Sequence, residues 1–261
     1  MKFDNLINMN TLYRCRSAFI GAAIITSLAL GSGCNSTSVK PEVESDAVVV
    51  TMLSTEEYIP QLSLDKEGLT LPYMPSIDPY SLQKGQLKKQ DIVTFIEAKR
   101  AVDQGKGSEA KILLSMLIDR KPKLSGPWVL LGDLAFAEKD LSLAVRQYQK
   151  AIDLNPGNIN AHLKRALTQR MQGEFLEAQN SYALALTRWP DFPEAHLNLA
   201  ILYDIYLNHP IRAQRHYEAY QFLTGGHNTK VKGWLDEVQQ RTGIARKLSQ
   251  VHYQLVQVGV Q

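Results

Sequence analysis

Small and apolar residues return along this chain at a fixed interval. Ala110, Ala144 and Ala178 stand 34 residues apart, as do Ala98, Gly132, Ala166 and Ala200, and Pro122, Pro156 and Pro190 close each interval. A repeat of this length predicts paired antiparallel helices that stack on their neighbours and bury a continuous core. Small residues let the two helices of a pair approach closely. Proline after the second helix stops it and sets the angle to the next pair.

Four windows follow from the interval, at 91–124, 125–158, 159–192 and 193–225. In the second, Trp128, Leu131, Gly132, Ala144, Tyr148, Ala151 and Pro156 stand where the tetratricopeptide repeat (TPR) pattern asks for these residue types. The first keeps Ala98, Ala101, Ala110, Leu114, Leu117 and Pro122, with Gly105 and Gly107 in its turn. The third keeps Ala166, Gly173, Ala178, Tyr182, Ala185 and Pro190; the fourth keeps Leu199, Ala200 and Tyr203, then gains one residue before Ala213 and Tyr217. Asn208 and Pro210 read as the cap and first-turn proline of its second helix. Residues 91–225 thus resemble TPR repeats throughout. The resemblance implies an all-α, right-handed α-solenoid of four helical hairpins, and says little about the partner.

Past Gly225 and Gly226, the positions Val231, Trp234, Leu235 and Val238 are spaced i, i+3, i+4, i+7. They predict one amphipathic capping helix within 226–243. In the tail, 244–261, Val256, Val258 and Val260 alternate, which suggests an extended strand.

Ahead of the repeats the pattern changes. Lys2, Arg14 and Arg16 precede an uncharged, mostly apolar run from Ala18 to Leu30, too short to span a bilayer and of signal-peptide length. The following Leu30-Gly31-Ser32-Gly33-Cys34 resembles a bacterial lipobox, which implies cleavage of 1–33 and lipidation of Cys34. Met1 or Met9 could be the start. Asn35, by resemblance to lipoprotein sorting in enteric bacteria, implies the outer membrane, with the protein on its periplasmic face. Residues 34–90 then form the lipidated N-terminus and a tether with five prolines and no helical period. As a flexible chain it would reach roughly 40 Å. Two pieces of it are less linker-like: Val48 to Leu53, and Leu69 to Tyr80. Docking onto the first repeat is the expectation for both.

Charge excludes more than it suggests. The formal net charge of +3, falling to +1 if residues 1–33 with Lys2, Arg14, Arg16 and Asp4 are removed, does not propose nucleic acid as partner. Of the two cysteines, Cys15 would leave with the signal and Cys34 would be a thioether, so no disulfide is expected. His162 and His196 occupy equivalent repeat positions, which is a structural explanation and not a metal site. No HExxH, GxSxG, P-loop or CxxC pattern is present. Neither an active site, a metal nor a cofactor is expected, nor a small-molecule substrate.

A binding surface is expected instead. The fifth position of each repeat faces the inner side of such arrays and holds Phe95, Val129, Leu163 and Leu197. The ninth holds Lys99, Asp133, Leu167 and Ile201, and the twelfth holds Val102, Phe136, Arg170 and Asp204. An apolar ladder with Lys99, Lys164 and Arg170 beside it suits an extended or helical protein segment with apolar anchors. The alternative is that these residues serve neighbouring helices or the tether. Repeat domains that clamp a chaperone's C-terminal carboxylate place Lys and Asn where this chain has Phe95 and Lys99, so that partner is not expected. Lipobox plus tandem repeats resembles the lipoproteins that assist secretin channels of type IV pili and secretion systems. An accessory of a TonB/Tol-type energy-transducing complex, favoured by the 56-residue spacer 35–90, and a regulatory adaptor of a periplasmic cell-wall enzyme are the other readings.

Overall fold

The computed structural model describes residues 50–83 and 87–248, all within one compact unit. The signal, Cys34, Asn35 and the valines of the tail lie outside the described residues. Among the described residues nine α-helices follow one another: α1 (Lys89–Asp103), α2 (Gly107–Arg120), α3 (Gly126–Ala137), α4 (Leu141–Leu154), α5 (Ile159–Gln172), α6 (Phe175–Arg188), α7 (Pro193–Ile201), α8 (Pro210–Leu223) and α9 (Thr229–Thr242). None of these is long and apolar enough to cross a membrane. The helices form four hairpins, α1/α2 to α7/α8, with α9 packed on α8. This is the α-solenoid of TPR hairpins that the 34-residue interval implied.

The repeated residues make the core. Ala98, Ala110, Ala144, Tyr148, Ala166, Ala178, Tyr182, Ala200, Ala213 and Tyr217 are all fully buried. Gly132 shows why one position must be small. A Cβ built there would collide with the Tyr148 ring, so α3 and α4 could not keep their separation. Helix ends follow local chemistry. Asp140, Asn158 and Asn228 accept from Leu143, Ala161 and Val231 as caps of α4, α5 and α9. Gly173 and Gly243 end α5 and α9 in the left-handed region. The amphipathic set Val231, Trp234, Leu235 and Val238 is buried, as a capping helix requires.

The extra residue of the fourth repeat widens a helical turn. Leu202–Tyr206 is a π-helical segment continuing α7, and the Leu207 amide donates to Leu202, five residues back. Asn208 does not cap α8, contrary to the sequence expectation. It adopts φ +53°, a conformation Asn tolerates, and His209 takes the capping position without a side-chain bond. Pro210 does open the helix.

Residues 50–83 are laid along the array rather than left as a tether, and they do not dock on the first repeat. Leu53, Thr55 and Ile59 lie on the third and fourth hairpins. Tyr73 and Ser76 reach the loop before α7, and Gln83 reaches Asn155 in the loop before α5. The segment, here called the strap, therefore runs backwards along the hairpins towards α1. Short polar contacts to loops and backbone hold it, a type of signal that hydrophobic periodicity does not report.

Candidate functional site

The predicted inner face is built by α1, α3, α5 and α7. Phe95, Val129, Phe136, Leu163, Leu167 and Leu197 are each partly buried, and Lys99 is exposed. The partial burial has named causes. Phe95 lies against the start of α3, where a Cβ on Gly126 would come within 3.1 Å of its ring. Val129 and Phe136 rest on Ala135, Ala144 and Tyr148. Phe95, Val129 and Phe136 are thus held by a neighbouring helix and keep part of their apolar surface open.

Charges beside the ladder are partly engaged. Asp133 accepts from the Tyr148 hydroxyl at 2.8 Å and from Lys164 Nζ at 2.7 Å, across two hairpins. Burial, with the Asp133 carboxylate next, pushes the Tyr148 hydroxyl far above its usual range, so it stays a donor. Arg170 lies 5.9 Å over the Tyr206 ring. Two positions leave the surface altogether. Ile201 is fully buried beneath the fourth hairpin, and Asp204, expected on the inner face, is buried and ion-paired with Arg241 of α9. Arg241 of the capping helix takes up Asp204.

The two equivalent histidines have one structural role. His162 Nε2 donates to the Pro156 carbonyl at 3.0 Å, and His196 Nε2 donates to the Pro190 carbonyl at 2.8 Å. Each satisfies the carbonyl of the proline that closes the preceding repeat. Burial lowers both rings to about 4, so they remain neutral near neutral pH. Among the described residues, no three His, Cys, Asp or Glu side chains gather as a metal site.

Sequence reasoning missed a second set of residues, on the outer side, where the strap lies. The Asn180 side chain reads backbone in both directions: its Oδ1 accepts from Leu53 N, and its Nδ2 donates to Thr51 O, each at 2.8 Å. Asp191 is buried and accepts from Tyr73 Oη at 2.5 Å, Ser76 N at 2.6 Å and Ser76 Oγ at 2.7 Å. Trp189 donates to Ser76 O at 2.9 Å. Ile59 and Tyr73 pack with Ala219 and Phe222, where Leu248 also sits. The apolar run Val48 to Leu53 and the Tyr, Met and Pro content of 69–80 were the hints of this in the sequence, without the place of docking.

With this geometry in view, comparison with known proteins agrees on the repeat. Residues 132–173 match the model of the TPR repeat. No curated protein matches the chain. Among solved structures, the chain is similar to PilF of Pseudomonas aeruginosa, with TM-score 0.53 and 17% identity over 59% of this chain and 69% of that one. It is also similar to MamA of Desulfovibrio magneticus RS-1, with TM-score 0.50 and 15% identity over 60% of this chain and 88% of that one. A TPR protein of Thermus thermophilus matches 58% of this chain and 82% of its own, at 20% identity and TM-score 0.49. At these identities the likeness is one of fold. A TPR array is a scaffold for protein–protein interaction, and such scaffolds are typically non-enzymatic.

Proposed function

We propose that this chain is a protein-binding adaptor, held at the periplasmic face of the outer membrane by lipid on Cys34, that helps assemble an envelope complex of the pilus or secretion type. One observation carries the binding role: the row of partly open apolar side chains from Phe95 to Leu197, of which Phe95, Val129 and Phe136 are packed on the helices behind them. Preformed apolar anchors on a rigid array capture a segment without first having to order themselves. The lipobox-like run before Cys34 supports the anchor. The strap bears on the choice of complex. With residues 50–83 laid on the array, only residues 35–49 separate Cys34 from the first described position. Even fully extended, 15 residues span no more than ~50 Å. That is too short to be the long spacer that favoured a TonB/Tol-type accessory.

Two experiments test the parts separately. Cys34→Ala should release the chain from membranes, and unchanged retention in the membrane fraction would overturn the anchor. Phe95→Glu with Leu163→Glu should abolish photocross-linking of a partner from the inner face while circular dichroism stays unchanged. Cross-linking that survives the double change places the binding site elsewhere.

A further inference from the structure

Where the strap crosses the fourth hairpin, five polar side chains form one buried chain of hydrogen bonds, and its direction can be deduced. The Pro190 carbonyl only accepts, so His196 carries its hydrogen on Nε2, 2.8 Å away. The neutral ring then offers Nδ1 as an acceptor, and His216 Nδ1, at 2.9 Å, must donate. His216 Nε2 is left as an acceptor for the Thr55 hydroxyl at 2.8 Å. Thr55 Oγ1 accepts from the Tyr203 hydroxyl at 3.1 Å, and that oxygen accepts from Gln179 Nε2 at 2.9 Å. The second hydrogen of the Gln179 amide goes to Leu53 O at 2.8 Å. Every hydrogen has an acceptor, from an amide donor at one end to a carbonyl at the other.

Such a chain has no place for another proton. Added to His216 Nε2, it turns the Thr55 hydroxyl round to donate to Tyr203, whose own hydrogen then meets the Gln179 amide donor. Rotating that amide would present Oε1, which has no partner in the present arrangement, but would withdraw the donor from Leu53 and set two oxygens together. Added to His196 Nδ1, the proton faces the hydrogen of His216. Each route removes a contact of the strap or breaks the histidine pair.

We propose that residues 51–59 form an acid-released latch, in which a proton taken up by the His196–His216 pair frees the strap from the third and fourth hairpins. Release exposes His216 Nε2, so the undocked form takes the proton at the ordinary histidine value while the docked form does not. Burial holds His196 down to about 4, and holds His216 well below its usual range. The surroundings leave this sign intact. From α8, Arg212 faces the site, 5.7 Å over the Tyr203 ring and 4.0 Å from Glu56 of the strap, and it opposes charge on His216. His209 stands edge-on to Tyr203 at 6.1 Å. From the loop before α7, Asp191 favours charge on His196 but is itself occupied by Tyr73 and Ser76. Gln179 and Asn180 of α6 are neutral.

One proton taken up only by the undocked form, at an ordinary value of 6.5, weakens docking about 25-fold between pH 7 and pH 5. Hydrogen exchange of the full-length chain, corrected for the intrinsic rate at each pH, measures this at the amides of 51–59, with α6 as reference. The expected result is a fall in strap protection of about 25-fold, with the strap opening independently of α6 and less protected than α6 at both pH values. His216→Gln should reduce the fall to less than about threefold, since it removes the titrating ring. Thr55→Val keeps both histidines and should leave the strap weakly protected at both pH values. The proposal is overturned if wild-type strap protection is independent of pH, if the strap and α6 show equal protection at pH 5 and so open in one event, or if either variant keeps the full wild-type drop.

Discussion

The first and fourth hairpins share a 34-residue plan and differ in how much of it is covered. In the first, Ile92, Val93 and Ile96 on α1 and Ile112 and Met116 on α2 are exposed. In the fourth, Leu199 through Tyr203 are fully buried, as are Ala213, Tyr217 and Ala219. Repetition alone supplies each hairpin with a neighbour on one or two sides. The fourth gains three more covers that do not repeat: α9, the strap, and the stretch from Ile244 to Leu248, whose backbone meets Gln214 and Glu218. Burial in this array is therefore set by its unique segments as much as by its periodic ones.

The contrast can be broken at several strengths. Leu199→Ala, in the fully covered hairpin, should cost about 2–5 kcal/mol in chemical denaturation. Acid should act on the same side, since all six histidines lie at residue 162 or beyond. His196 binds protons less readily folded than unfolded, so its contribution is intact above 6.5 and is lost as pH falls from there towards 4. The full effect is about 3 kcal/mol, from a value lowered to about 4. Denaturation midpoints at pH 7 and pH 4.5 check this, and His196→Gln should reduce the difference while the shares of His162 and His216 remain. Ile59→Ala should cost about 2 kcal/mol and raise hydrogen exchange in α8 before α2. Ile112→Ser, in the open hairpin, should change stability by no more than about 0.5 kcal/mol. A large effect there would mean that the first hairpin has a cover of its own.

Much of the solenoid was legible because helices report themselves through spacing. The same alanines and tyrosines that mark the interval are the ones buried at the helix contacts, while the prolines that close it stay exposed, so one pattern gave both fold and core. The inserted residue near 207 was also legible, although not its outcome as a π turn. The ladder positions followed from the register until Ile201, which is fully buried, and Asp204, which a non-repeating helix engages through Arg241. The strap was not legible. Asn180 and Gln179 hold the backbone of residues 51 and 53, and backbone has no side-chain signature to search for. His216 stands next to Tyr217 of the repeat pattern, and nothing in its spacing pairs it with Thr55, 161 residues earlier.

That separation bears on the order in which the molecule is made. The hairpins close on themselves through contacts near in sequence, so each can form as soon as its second helix exists. Thr55 leaves the ribosome well before α8 has been synthesised, and its place on the molecule does not exist until then. The earliest part of the described chain thus waits for one of the latest. Until α8 arrives, Ile59 and Tyr73 have no apolar surface to meet, and their exposure makes the unfinished chain prone to association. The strap is therefore seated only after the fourth hairpin exists.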